Sequence, residues 1–66
     1  MSYKPVFEFA GGEQQTNGQA FATEKEALAS AASRFMRWTM PQGYHAVESS
    51  DPVSYRWDDV EGDVSI

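Results

Sequence analysis

One stretch of this chain reads as a helix, and both of its ends are marked. In "TEKEALASAASRFMRWTMPQG", residues 23–43, Thr23 and Glu26 have the spacing of a capping box. The Thr oxygen takes an orphan backbone N–H of the first turn, and the Glu carboxylate reaches back to the cap residue. Pro41 disfavours helical geometry at Met40 and Gly43 permits a sharp exit, so the spacing predicts a helix from residue 24 to near Thr39. Over that span the 3.6-residue period gathers Leu28, Ala31, Ala32, Phe35 and Trp38 on one face. Glu26, Ser30, Ser33, Arg34 and Arg37 fall on or near the opposite one. The small residues from Ala29 to Ser33 let another backbone come close.

The segments around the helix alternate with period 2 and predict strands. In "YKPVFEFA" Tyr3, Pro5, Phe7 and Phe9 share one side, and Lys4, Val6, Glu8 and Ala10 the other. Gly11-Gly12 stops the run. Asn17-Gly18 is the best short-range hairpin signal, with "QAFA", residues 19–22, returning antiparallel to the first strand. The polar "EQQT" before it is either a strand extension or a loop. "YHAVESS", residues 44–50, is a third strand; Asp51-Pro52 marks a turn. In "VSYRW" Val53, Tyr55 and Trp57 share one face, while Ser54 and Arg56 point the other way. The pattern predicts a single small α+β domain, β-β-α-β-β, over residues 1–57: an antiparallel sheet of about four strands with one helix packed on one face. Residues 58–66, "DDVEGDVSI", form an acidic C-terminal tail or an edge strand through Val60, Val64 and Ile66. The expected core is Phe7, Phe9, Phe21, Leu28, Phe35, Trp38, Val53, Tyr55 and Trp57.

A chain of 66 residues buries only about 60% of the surface its unfolded form exposes. It has no Cys, so neither a disulfide nor a thiolate-held metal can staple it, which favours the cytoplasm. No apolar stretch approaches the ~20 residues of a membrane helix, and "MSYKPVFEF" has no targeting pattern. The protein is expected to be soluble and to have no membrane partner. The routes left to stability are a ring-rich core, which nine aromatic residues support, or assembly into a homo-oligomer.

Charge is unevenly placed. The net charge is −5, yet residues 1–57 carry five Lys/Arg against six Asp/Glu; Asp58, Asp59, Glu61 and Asp63 supply the rest. Phosphate backbones repel such a chain, so direct nucleic-acid binding is not expected. The acidic segment instead suits a basic protein surface, including one that normally receives DNA or RNA, or it simply keeps a terminus solvated. Arg34 and Arg37 lie one turn apart on the polar helix face, each with a Ser one turn earlier, Ser30 and Ser33. Their forks suit phosphate or carboxylate, and nearby rings suit a base; the plainer alternative is solvation or pairing with the acidic residues.

No catalytic constellation stands out. His45 is the single His and no nucleophile elbow accompanies it. "DDVEGD" lacks the spacing of a calcium loop, and Gly11-Gly12 lacks the Lys-Ser/Thr of a phosphate loop. The expectation is a non-enzymatic protein with no cofactor and no resident metal.

The runs "FATEKEA" (21–27), "SRFMRWT" (33–39) and "ESSDPVSYRW" (48–57) resemble a family of short phage- and prophage-type proteins of largely unassigned function. In that family a capped helix is followed by a Glu-Ser-x-Asp-Pro-Val-x-Tyr-Arg-Trp-like run; Ser54 stands where Asn is often found. The resemblance spans residues 21–57 and carries over no catalytic residues. It implies an accessory protein that binds and blocks a host protein complex, a defence or nucleic-acid-processing assembly, in the manner of an anti-CRISPR. The rival is a sponge that sequesters a nucleotide-type immune signal between Arg34, Arg37, Arg56 and nearby rings; a third reading is a virion-accessory subunit. The candidate binding residues are Ser30, Arg34, Arg37, Arg56, Asp58, Asp59, Glu61 and Asp63.

Overall fold

A computed structural model describes residues 1–37 and 40–66. Trp38 and Thr39 lie outside the described residues, and with them the expected core position of Trp38 and the expected helix end near Thr39. The chain runs β1 (Ser2–Glu8), a 3-10 turn (Ala10–Gly12), β2 (Gln14–Thr16), α1 (Glu24–Phe35), β3 (Gly43–Ser49), β4 (Tyr55–Asp58) and β5 (Gly62–Ser65). The fold is α+β. Its five strands divide into two antiparallel sheets, β2-β1-β3 and β4-β5, where one sheet of about four strands was expected. The helix touches both sheets.

The first reversal sits at Gly11-Gly12, where both glycines take φ near +83° and +84°, a conformation that side chains resist. "QQT" of the polar segment is therefore β2. Asn17-Gly18 makes no hairpin. Val6 faces Thr16 and Tyr3 faces Phe21, so three steps along β1 match five on the returning chain and two residues are looped out. Pro5 explains the loop. The bonds between Tyr3 and Phe21, each 2.8 Å, show that odd-numbered residues of β1 direct their backbone groups toward this side. Pro5 has no N–H to offer there, and the ladder opens at its level. The Asn17 side chain accepts the Gln19 N–H at 3.0 Å and Gly18 takes φ +80°, which closes the excursion. "QAFA" thus meets β1 at the single bridge Tyr3–Phe21 rather than as a strand.

The helix begins where the capping box places it. Thr23 Oγ1 accepts the Glu26 N–H at 3.2 Å, and Glu26 Oε1 accepts the Thr23 hydroxyl in return. It runs to Phe35 and is followed by a tightened turn in which Arg37 N donates to Arg34 O at 3.1 Å.

Burial corrects the expected core. Phe7 and Phe21 are buried, but Phe9, Leu28, Phe35, Val53, Tyr55 and Trp57 are only half-buried. On the helix the buried residues are Ala27, Ser30 and Ala31. Two sheets press on α1 from different sides, so the buried stripe turns away from Leu28 and Phe35 toward the small residues that permit close approach. Phe35 instead meets Tyr44 of β3 at the margin in a tilted ring contact, centroids 5.2 Å apart. Pro5, Val6, Ala20 and Pro41 are buried as well. The β4–β5 hairpin is docked largely by polar links. Ser54 N and Tyr55 N donate to Ala20 O, the Ser54 hydroxyl accepts the Ala20 N–H, and Glu26 Oε2 accepts the Trp57 N–H at 3.0 Å. Ser54, expected to face outward, is thus one of the residues that tie the hairpin down.

Candidate functional site: a groove and an acidic turn

Helical spacing places Ser30, Ser33 and Arg34 on the flank of α1 that faces the hairpin, with Arg37 in the turn that follows the helix. Across from them the β4–β5 register pairs Trp57 with Asp63 and Asp58 with Gly62. Between these two flanks lies a cavity of about 160 Å³, lined by Ser30, Ser33, Arg34 and Arg37 on one side and by Trp57, Glu61, Gly62 and Asp63 on the other. A second cavity of about 240 Å³ adjoins it, sharing Arg37 and Trp57 and reaching Asp59 and Val60. Trp57, expected in the core, is a wall of both.

The groove is polar and its charges are balanced. Asp63 Oδ2 accepts from Arg34 Nη2 at 3.2 Å and from Gln19 Nε2 at 2.9 Å. Arg37 folds back on the end of α1, donating from Nη2 to Ser33 Oγ at 3.2 Å and from Nε to Ser33 O at 3.4 Å. The other oxygen of Asp63, Oδ1, is buried without a hydrogen-bond partner, and so is the hydroxyl of Ser30, a residue only 2% exposed. Ser30 was expected on the solvent side of the helix. The docked hairpin, absent from a periodicity argument, is what covers it.

Beyond the groove the hairpin turns through Asp59, Val60 and Glu61. Asp58 Oδ1 accepts the N–H groups of Val60 at 2.8 Å and Glu61 at 2.9 Å. The Glu61 and Val60 amides, with a smaller part from the Arg56 guanidinium, hold the Asp58 carboxyl below the ordinary aspartate range. Asp59 Oδ1 accepts the Trp57 indole N–H at 3.0 Å. Val60 stands 93% exposed between the two acids at the tip.

Of the residues singled out from sequence, Ser30, Arg34, Arg37, Glu61 and Asp63 meet at the first cavity, Asp59 joins the second, and Asp58 braces the turn. Arg56 lines neither cavity. Strand alternation turns it to the face opposite Trp57, where it lies 3.6 Å from Asp58, so the expected triad of Arg34, Arg37 and Arg56 does not form. The acidic segment is a hairpin arm: Asp63 reaches across to Gln19, while Asp58 and Asp59 bond groups of the hairpin itself and Asp59 stays exposed. Gln19 and Gly62 were missed. Gly62, at φ +81°, is readable from sequence as a turn glycine, but the role of Gln19 depends on a contact 44 residues away. His45 Nδ1 lies 2.8 Å from Glu8 Oε2 on the sheet, and His45 lines neither cavity. No helix of the described residues is long and apolar enough to cross a membrane. No family model matches the chain, and no curated protein or solved structure matches it.

Proposed function

We propose that this is a non-enzymatic, phage-type accessory protein that inhibits a host defence or nucleic-acid-processing complex, in the manner of an anti-CRISPR, by binding one of its proteins. The observation that supports this reading is the hairpin tip. Asp59, Val60 and Glu61 project from a turn braced by two backbone bonds to Asp58, and the apolar side chain at its apex is 93% exposed. A convex, pre-braced element of this kind loses little conformational freedom on docking. The carboxylates of Asp59 and Glu61, on a chain of net charge −5, attract a basic protein surface and speed encounter with it.

The test is capture of a bacterial protein by the intact chain, compared with an Asp59→Lys/Glu61→Lys variant shown to be folded by circular dichroism. Specific capture that the charge reversal abolishes, and that added salt weakens, is the expected result. Capture unchanged by the reversal, or no bacterial protein bound at micromolar concentration, overturns the proposal.

A further inference from the structure

We propose that the outer edge of β3 is a self-association surface, and that its occupant is a second copy of this chain, joined strand to strand about Ala46. This goes beyond the protein contact at the hairpin tip and uses a different surface. The bonds between Tyr3 and Phe21 turn the odd-numbered backbone groups of β1 away from β3, so the even-numbered ones meet it; Gln42 N donates to Glu8 O at 2.7 Å in the same sense. Ser2, Lys4, Val6 and Glu8 face Ser49, Val47, His45 and Gly43. Backbone direction alternates along a strand, so the N–H and C=O groups of Tyr44, Ala46 and Glu48 point the other way. β3 is the last strand of its sheet, and among the described residues no strand lies there to receive them.

The edge is long and unguarded. β3 spans seven residues, and its register with β1 is unbroken from Ser2 opposite Ser49 to Glu8 opposite Gly43. "GYHAVES" holds neither Lys nor Pro, residues that blunt an edge. At the other border of the sheet, β2 has only three residues, all polar and exposed. Side chains also favour a strand alongside. Among the described residues, the large apolar ones that reach solvent from within a strand are Tyr44 and Val47, 36% and 39% exposed, and both belong to β3. Tyr44 meets Phe35 on the helix side, while Val47, of opposite parity, lies on the other face. A strand laid along the edge touches both faces.

Symmetry and charge select a second copy as that strand. A two-fold axis through Ala46, the midpoint of β3, overlaps the whole of both strands. Tyr44 then stands opposite Glu48 of the second copy and His45 opposite Val47, so the one carboxylate of β3 faces a ring rather than its own counterpart. The acidic hairpin is kept away from the joint. It docks on Ala20, next to the Tyr3–Phe21 bridge, on the side of β1 that β3 does not occupy. The product is one continuous antiparallel sheet, β2-β1-β3 followed by β3-β1-β2, with no long edge left open.

Sedimentation equilibrium of the intact chain from micromolar to submillimolar concentration, with amide hydrogen exchange at both ends of the range, tests the proposal. A monomer–dimer equilibrium is expected, and the Tyr44, Ala46 and Glu48 amides gain protection with concentration while the Val64 amide of the hairpin does not. Tyr44→Glu sets carboxylates opposite each other twice in the dimer and is expected to weaken it by about tenfold or more. Tyr44→Lys sets opposite charges there and is expected to hold or tighten it. Both substitutions lose the Phe35 contact, so a fold defect moves them together and the pairing moves them apart. N-methylation of the Ala46 amide, in a chemically assembled chain checked by circular dichroism, removes the outward N–H at the axis and is expected to weaken the dimer while sparing the ladder to β1. A monomer throughout the range, concentration-dependent protection confined to other amides, equal effects of the two Tyr44 substitutions, or an undiminished dimer after methylation each overturns it. Protection of the edge amides only when another protein is added assigns the edge to a foreign strand and overturns it as well.

Discussion

The two sheets of this molecule are held by different forces. β1 and its neighbours carry the buried apolar residues: Val6, Phe7, Phe21, Ala27 and Ala31 are all less than a tenth exposed. No residue of β4 or β5 is buried. The hairpin attaches through Glu26 to the Trp57 amide, through Arg34 and Gln19 to Asp63, through Ala20 to the backbone of Ser54 and Tyr55, and by a tilted ring contact of 6.3 Å between Phe21 and Tyr55. Apolar burial is insensitive to salt and acid, whereas partly exposed ion pairs are weakened by both. The candidate sites lie on the polar half and at its seam with the helix. A region meant to meet partners gains from polar groups that can exchange one partner for another, and it gives up local stability in return.

The largest effect expected is on the apolar half. Phe21→Ala removes a ring with no exposed surface and should cost about 3–5 kcal/mol, a large part of what holds a small domain together. Urea unfolding should show one transition at much lower denaturant; a loss confined to the hairpin would break the comparison. Next comes Glu26→Ala, which takes the acceptor from the Trp57 N–H and should cost about 1.5–3 kcal/mol at that seam. Hydrogen exchange is expected to accelerate at the Trp57 and Val64 amides while Val6 and Phe7 stay protected. Equal acceleration in both sheets would mean that they open as one unit.

A smaller effect is expected at Arg34 and Asp63. Arg34 is 44% exposed in that pair, so a double-mutant cycle of Arg34→Ala and Asp63→Asn should give a coupling below about 1 kcal/mol. A larger value would show that the seam is less solvated than its exposure implies. The smallest concerns Asp58. Its folded-state pKa is lowered, so its contribution is fully present above the ordinary carboxylate range and is lost as pH falls through the lowered value. A carbon-detected NMR titration should place its midpoint below that of a free aspartate, and the Val60 and Glu61 amides should shift with it.

Much of this was written in local sequence. Thr23 and Glu26 mark the helix start because capping acts within one turn, and the alternation of "YKPVFEF" marks β1 because a strand with a buried face must alternate. The α+β class follows from one capped helix among alternating segments. The looped-out Asn17-Gly18 was also legible in retrospect. A proline inside a strand pattern warns that the ladder is interrupted, and Pro5 outweighs a good hairpin dipeptide.

What only the tertiary structure decided is the division into two sheets and everything that depends on it. Periodicity tells which residues of a helix share a face, but not how many faces will be covered. With a hairpin docked on the polar flank, Ser30 passes from solvent to interior, Trp57 from core to groove wall, and Asp63 from a solvated tail to a partner of Arg34 and Gln19. These are contacts between residues 29 to 44 positions apart. Capping, turn and alternation rules act over a few residues, so the helix and β1 are determined by the sequence nearby, and the groove exists only once the hairpin has docked.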